Sequence, residues 1–180
     1  MPISAWPKTV SPVTDAPPNF QHQAIHPGYS GDDHVRAIAR KWHITMPKKS
    51  APSFSGASKQ KILSSEGVAH PAAHVALTLD VVWDSKGDLL LLVCMATAHA
   101  PQSREFLHSC TDPDFPGAKP TDTAAWLDAM EPQLDRARKK TRGVVVSPMH
   151  VTGPTGTYMN EYTDTTYGDS YAVETFGVVS

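Results

Sequence analysis

The sequence contains few of the features that mark specialised classes of protein. It has 2 cysteines in 180 residues, too few for a disulfide-rich scaffold, and its 11 glycines follow no period, which excludes a collagen-like chain. No heptad repeat is sustained, so a coiled coil is excluded as well. The longest unbroken apolar run, Leu89 to Ala96, is eight residues, far short of the ~20 that a membrane-spanning helix needs. We therefore expect a globular protein with no membrane segment.

Motifs for common nucleotide and hydrolase chemistries are also missing. The sequence has no P-loop, no glycine-rich dinucleotide fingerprint, no His-Glu-x-x-His zinc motif and no Gly-x-Ser-x-Gly elbow. The His-x-Glu and Pro-Cys-x-x-Cys signature of zinc deaminases is absent too. Each motif needs a fixed spacing because backbone amides or ligand atoms must converge on one point. We expect no cofactor, and no known family is recognisable.

Charge is scarce and unevenly placed. Only 19% of residues are charged, and the net charge of −2 divides into +4 over residues 1–66 and −6 over residues 67–180. The basic residues of the second part are bunched, and we select them as candidates for binding an anionic partner: Arg136, Arg138, Lys139, Lys140 and Arg142. Nucleic acid is one such partner, although no RNA- or DNA-binding motif is present. The alternative is a solvated helix C-terminus, where cations are favoured by the helix dipole.

Proline is the residue type in clearest excess. The chain has 16 prolines, about 9%, against a usual ~5%, and six of them fall within residues 1–30. They interrupt every short apolar run in this segment, so neither a helix nor a central strand can persist there. The segment also carries apolar anchors such as Trp6, Phe20 and Ile25. We therefore divide the chain into an extended Pro-rich arm, 1–30, and a single α+β domain, 31–180, on which the arm packs in its own or a neighbouring subunit.

The first half of the domain contains the clearest patterns. Apolar residues at helical spacing after Asp32 predict a helix that ends near Thr45, before Pro47. Residues 47–66 are rich in Ser, Lys, Ala and Pro and are predicted to be a loop. Strict alternation from Val75 to Trp83, a turn around Gly87 and the apolar run from Leu89 predict a hairpin at the centre of the sheet.

The second half predicts one more helix and three more strands. Residues 97–121 hold four prolines and are predicted to be a long loop. A helical stretch follows from Thr121 or Asp122, in which Pro132 either kinks one helix or is the first residue of a second one. Residues 144–146, 157–163 and 171–179 read as strands. Together these elements predict a two-layer α+β domain with a mostly antiparallel five-stranded sheet and helices on one face. The strands that begin at Leu89 and Val144 are separated by a helix and could run parallel.

The long loop after the central strand holds the candidate chemistry. It contains side chains of the types that bind zinc, although their spacing matches no standard zinc module: His99, His108, Cys110, Asp112 and Asp114. We take His99, His108 and Asp112 as weak catalytic candidates, and His99, His108 and Cys110 as weak metal ligands. Cys94 and Cys110 could form one disulfide bond, but nothing in the sequence requires it.

Three functions are compatible with these features. The leading hypothesis is a non-enzymatic binding or assembly protein, of coat or scaffold type, whose stiff arm docks on a partner or on a second copy. The alternative is a small histidine-based hydrolase or lyase, with or without a metal in the 99–114 loop. The third is an RNA-associated protein that uses its basic clusters. We expect a homo-oligomer or a protein partner and, because no secretory signal is visible, an intracellular, cytoplasmic location.

Overall fold

The structure is a computed structural model that describes residues 8–10, 23–51, 61–112 and 115–178. Within these ranges the helices are α1 Asp32–Trp42, α2 Ser103–His108 and α3 Pro120–Arg138. The strands are β1 Lys8–Val10, β2 Ile62–Ala72, β3 Val75–Asp84, β4 Leu89–Thr97, β5 Val144–Val146, β6 His150–Thr152, β7 Thr155–Asp164 and β8 Gly168–Gly177.

The described strands form one antiparallel sheet. Seven of them follow the order β1-β5-β7-β8-β4-β3-β2, and β6 pairs with β7 outside this order. The predicted α+β class and antiparallel sheet are confirmed, but the prediction of five strands is wrong because β1, β2 and β6 were not recognised. The parallel alternative is also wrong, since β8 and β7 lie between β4 and β5 and every pairing along that path is antiparallel.

Strand β2 includes residues 62–66, the end of the segment 47–66 that was predicted to be a loop. It contains Gly67 and Pro71, two residue types that normally argue against a strand. Pro71 is tolerated because β2 is the last strand of the order, so one of its sides forms no ladder. Gly67 is needed because the chain passes close by: a Cβ atom there would lie 2.5 Å from the carbonyl oxygen of Thr45.

The three helices pack on one face of the sheet. On that face β3 contributes Leu77, Leu79 and Val81, each completely buried. They belong to one core cluster with apolar side chains of all three helices: Val35, Ile38, Phe106, Leu107, Leu127, Met130 and Leu134. The opposite face of β3 presents Thr78, Asp80 and Val82, because side chains alternate along a strand. The core therefore lies between the helices and one face of the sheet.

Helix α1 ends earlier than predicted. His43 adopts a left-handed backbone conformation with φ of 56°, and the helix stops at Trp42 rather than near Thr45. A non-glycine residue at this cap position is uncommon. The early stop lets Ile44 enter the core, where it is 5% exposed.

Helix α3 runs without a break through Pro132. A proline inside a helix removes one backbone hydrogen bond, yet residues on both sides, Met130 and Leu134, are buried in the core. Tertiary packing therefore holds the two halves together. Because the helix is continuous, Glu131 and Asp135, spaced i and i+4, lie on the same face of it.

The described part of the arm pairs with the sheet of the same chain. Strand β1 pairs with β5, with Thr9 opposite Val145, and Gln23 forms a bridge with Gly177 of β8. Ile25 is 2% exposed and its N–H donates to the carbonyl of Leu89 at 2.9 Å. The remaining arm residues, 1–7 and 11–22, lie outside the described residues. Whether the arm also reaches a neighbouring subunit stays a prediction.

A disulfide bond joins Cys94 of β4 to Cys110, just after α2. Both cysteines are completely buried, and the Thr175 hydroxyl donates to the Cys110 carbonyl at 3.0 Å. The bond closes a loop that contains His99 and α2. Such bonds are typical of oxidising compartments and do not support a cytoplasmic location, which stays a prediction. None of the described helices is both long and apolar enough to cross a membrane.

Candidate metal site

A cluster of ionisable side chains lies where the C-terminal half of α3 meets the ends of β7 and β8. Glu131 and Asp135 come from α3, Glu161 from β7 and Tyr171 from β8, where the register places Tyr171 directly opposite Glu161. His99 comes from the turn after β4 and has a left-handed backbone with φ of 63°. The preceding amide, that of Ala98, donates to the Asp169 carbonyl at 2.8 Å and fixes the turn against β8.

Three of these side chains converge closely enough to share one ion. One potential ligand atom each from His99, Glu131 and Asp135 lies within 4.8 Å of the other two. The His99 Nε2 atom is 3.6 Å from Asp135 Oδ1. The His99 side chain is 60% exposed, that of Asp135 28% and that of Glu131 16%. The three donors therefore form a shallow site that solvent reaches from the histidine side.

Tyr171 orients the central carboxylate of this site. Its hydroxyl donates a hydrogen bond to Asp135 Oδ1, and the hydroxyl oxygen of Tyr171 lies 3.5 Å from His99 Nε2. The tyrosine is only 1% exposed, and burial together with the neighbouring carboxylates raises its pKa well above its ordinary value. Tyr171 thus stays protonated and donates to Asp135, the arrangement that typically fixes a ligating carboxylate from behind.

Glu161 adds a buried carboxyl group beside Asp135. It is 2% exposed, and its Oε2 atom has no hydrogen-bond partner among the described residues. Burial, then the charge of Asp135 and a hydrogen bond to its side chain, and then the charge of Asp169 raise the pKa of Glu161 to about 8, against the opposing effect of Arg138. A buried polar atom without a partner costs about 1–3 kcal/mol. The fold therefore keeps a buried carboxyl oxygen without a described partner beside Asp135.

Arg138 neutralises the far side of the cluster. Its guanidinium donates to Asp169 Oδ1 at 2.9 Å and to the Gly143 carbonyl at 2.6 Å, and its side chain is 10% exposed. Arg138 is thus turned inward and is not part of a basic surface. The other members of the predicted basic segment lie at the surface: Arg136, Lys139, Lys140 and Arg142. Binding of an anionic partner by these four residues stays a prediction.

The other candidates from the 99–114 loop do not join the cluster that contains His99. His108 Nε2 lies 2.7 Å from Asp128 Oδ1, so His108 belongs to a separate pair between α2 and α3. Asp112 is exposed, and its amide donates to the His108 carbonyl. Cys110 is bonded to Cys94 and offers no thiolate to a metal. Asp114 lies outside the described residues.

Sequence reasoning identified His99 but missed Glu131 and Asp135. The signal that could have found them is the i, i+4 spacing of two acidic residues on a helix, which places both carboxylates on one face. The contributions of Glu161 and Tyr171 depend on the pairing of β7 with β8 and on the position of α3 above them, which no local pattern reveals.

Comparisons of the chain with protein-family models, with curated proteins and with solved structures find no match. The chemistry of the donors is therefore the guide to what the site can hold. One imidazole and two carboxylates form a mixed nitrogen and oxygen set, which suits divalent ions such as Mn²⁺, Fe²⁺ or Zn²⁺. Three protein ligands leave at least one coordination position for water or substrate, as in catalytic rather than structural sites.

Proposed function

We propose that the protein is a small metal-dependent hydrolase whose divalent cation is held by His99, Glu131 and Asp135. The observation that carries this proposal is the convergence of these three donors within 4.8 Å at a solvent-accessible position. The proposal follows the hydrolase alternative derived from the sequence, with one of its candidate residues, His99, retained and two acidic ligands of α3 added.

The surroundings of the three donors support a cation rather than a purely structural hydrogen-bond network. The carboxylates of Glu131 and Asp135 lie together, and a divalent ion would relieve their mutual repulsion. The buried Glu161 carboxyl group, with its unpartnered Oε2 atom, lies beside Asp135. Arg104 pairs with Glu131 and Arg138 with Asp169, so no described arginine forms an ion pair with Asp135. Tyr171 supplies the outer hydrogen bond that holds Asp135 in place.

The proposed reaction follows from these positions. A cation in this site would lower the pKa of a bound water and provide hydroxide near neutral pH. The hydroxide oxygen would form the new bond to the electrophilic centre of the substrate as the bond to the leaving group breaks. The leaving group would keep the electrons of that bond and take up a proton from solvent, which balances the proton that the bound water released. The protein side chains orient this attack: Tyr171 fixes Asp135, and His99 stands at the open side, next to incoming substrate.

Metal titration of the full chain tests this proposal. After removal of bound metal with a chelator, we expect calorimetry to show one equivalent of Mn²⁺ or Zn²⁺ bound. His99→Ala and Asp135→Asn should abolish this binding, and Tyr171→Phe should weaken it about 10- to 100-fold because the outer hydrogen bond is lost. His108→Ala is the matched control, since His108 forms a similar pair with Asp128 outside the site and should leave metal binding unchanged.

Two results would contradict the proposal. The first is the absence of stoichiometric metal binding, or binding that depends on His108 as much as on His99. The second is a metal-loaded protein that hydrolyses neither p-nitrophenyl phosphate nor p-nitrophenyl acetate faster than His99→Ala does. Thermal unfolding of each variant shows whether a loss of binding reflects the site or the fold.

We propose, as a second function, self-association through the arm, which the pairing of β1 with β5 favours. The three residues of β1 cover the edge of β5, and the same antiparallel register could form between β1 of one copy and β5 of another. Exchange of an identical element between protomers requires no new type of contact. Prolines before and after β1 reduce the entropy that such an arm loses on docking.

Removal of residues 1–22 tests self-association, because the cut leaves Ile25 in the core. We expect light scattering to give a dimer or larger assembly for the full chain and a monomer for the truncated chain. Thr9→Pro, which keeps the chain length but removes a backbone donor from β1, should weaken association in the same direction. A full chain that is monomeric at micromolar concentration would overturn this second proposal.

A further inference from the structure

Arg104 stands beside the candidate metal site and is free to contact a ligand. It is the second residue of α2, and its Nε and Nη2 atoms lie 3.2 and 3.1 Å from a single oxygen, Oε2, of Glu131. Its side chain is 63% exposed, in contrast to the 10% exposure of Arg138. The guanidinium therefore touches one of the proposed ligands with one edge and faces solvent with the rest.

The position of Arg104 is well fixed for a surface arginine. The neighbouring Ser103 is 2% exposed and its hydroxyl donates to the Thr97 carbonyl at 2.5 Å, which anchors the start of α2 to the end of β4. The disulfide between Cys94 and Cys110 ties the other end of α2 to the same strand. His99 and Arg104 thus belong to one short loop that is held at both ends.

We propose that the substrate is a phosphate ester, and that its phosphoryl oxygens bridge the cation and the Arg104 guanidinium. This inference rests on the proposed metal-dependent hydrolase function. Arginine binds phosphate oxygens through two parallel N–H groups, and such charge-assisted hydrogen bonds are among the strongest in proteins. Arg104 contacts Glu131, a proposed metal ligand, so an anionic group bound to Arg104 would lie next to the cation. The group bound by Arg104 would therefore be the reacting group rather than a distant part of the substrate.

The same geometry argues against a neutral ester. In a carboxylic ester the reacting carbonyl is uncharged before attack and gains negative charge only in the transition state, so an arginine adjacent to the cation would contribute little to binding of the substrate itself. In a phosphate ester the reacting group is itself the anion. Cations and arginines that contact a transferring phosphoryl group stabilise the charge that it carries in the transition state.

The charges around the site favour an anion once the cation is bound. The two carboxylates of Glu131 and Asp135 balance a divalent ion, and Arg104 then adds one positive charge at the open side. Arg138 does not change this balance, because it pairs with Asp169. We therefore expect phosphate to bind tightly only to the metal-loaded protein, and the empty site to repel it.

The experiment uses the Mn²⁺-loaded full chain with p-nitrophenyl phosphate as substrate and inorganic phosphate as competitor. With each variant assayed at its own saturating Mn²⁺ concentration, because Arg104 also pairs with the proposed ligand Glu131, Arg104→Gln should raise KM for the phosphate ester and the inhibition constant of phosphate about tenfold or more. Arg104→Lys should restore part of the loss, because it keeps the charge without the paired donors. Arg36→Gln is the matched control: Arg36 is also 63% exposed and pairs with Asp33, but it lies on α1.

The possible results separate the two levels of the proposal. Preferential hydrolysis of the phosphate ester, with the expected Arg104 effects, supports the inference. Metal-dependent hydrolysis of p-nitrophenyl acetate but not of the phosphate ester would overturn the phosphate substrate and leave the hydrolase function intact. Equal phosphate inhibition of the original chain and Arg104→Gln would also overturn it. Failure to bind metal would instead contradict the proposed function itself.

Discussion

Replacement of both Cys94 and Cys110 with alanine should lower the free energy of unfolding by about 3 kcal/mol. The two cysteines are 16 residues apart, and closing a loop of this length removes about that much conformational entropy, in free-energy terms, from the unfolded chain. Both side chains are completely buried in the core cluster, so the lost sulfur contacts act in the same direction. Urea unfolding of the original chain and the double variant measures the difference.

The single variant Cys94→Ala is the informative control, because it breaks the bond while leaving one thiol in place. It should lose nearly as much stability as the double variant. Reduction of the unfolded original chain with dithiothreitol before refolding should lower its stability by a similar amount. If the reduced original chain unfolds at the same urea concentration as the oxidised one, the bond does not stabilise the fold.

The sequence predicts best where local pattern and tertiary position agree. The β3–β4 hairpin is recognisable because Leu77, Leu79 and Val81 alternate with less apolar residues, and each of them is completely buried in the structure. Strand β2 is not recognisable from the sequence. Its Gly67 is required because the Thr45 carbonyl approaches it closely, and its Pro71 is permitted only because β2 lies at the sheet edge. Both exceptions depend on neighbours that are distant in sequence, so residue propensities point the wrong way.

The candidate site shows the same division at the level of single side chains. His99 is identifiable from the sequence as a metal-competent residue after a buried strand. Its partners are not, because Glu131 and Asp135 follow it by more than thirty residues and reach it only when α3 packs across the sheet. His108 and Cys110 are as metal-competent as His99, yet one pairs with Asp128 and the other with Cys94. Residue type thus defines a set of candidates, and packing selects among them.

A row of acidic side chains crosses the face of the sheet opposite the three described helices, and removing one charge there should stabilise the protein. Glu66 of β2 pairs with Asp80 of β3, Asp80 with Val93 of β4, and Val93 with Glu174 of β8. Burial, and then the charge of Glu66, raises the pKa of Asp80 to about 6. Burial, and then Asp80, raises that of Glu174 as well. Ionisation of this row therefore opposes folding.

The sign of the pH dependence follows from the raised pKa of Asp80. Between pH 4 and pH 6 the folded chain holds a proton that the unfolded chain has released, so stability falls as the pH rises through this window. Asp80→Asn should therefore increase the free energy of unfolding by about 2 kcal/mol at pH 7 and change it little below pH 4. Urea unfolding across this pH range measures the effect, with the exposed Asp112→Asn as a control expected to stay within about 0.5 kcal/mol. An Asp80→Asn variant that is destabilised at pH 7 but unchanged below pH 4 would show that the Asp80 carboxylate is stabilised in the folded protein, for example by a hydrogen-bond partner, rather than opposed by burial and by its acidic neighbours.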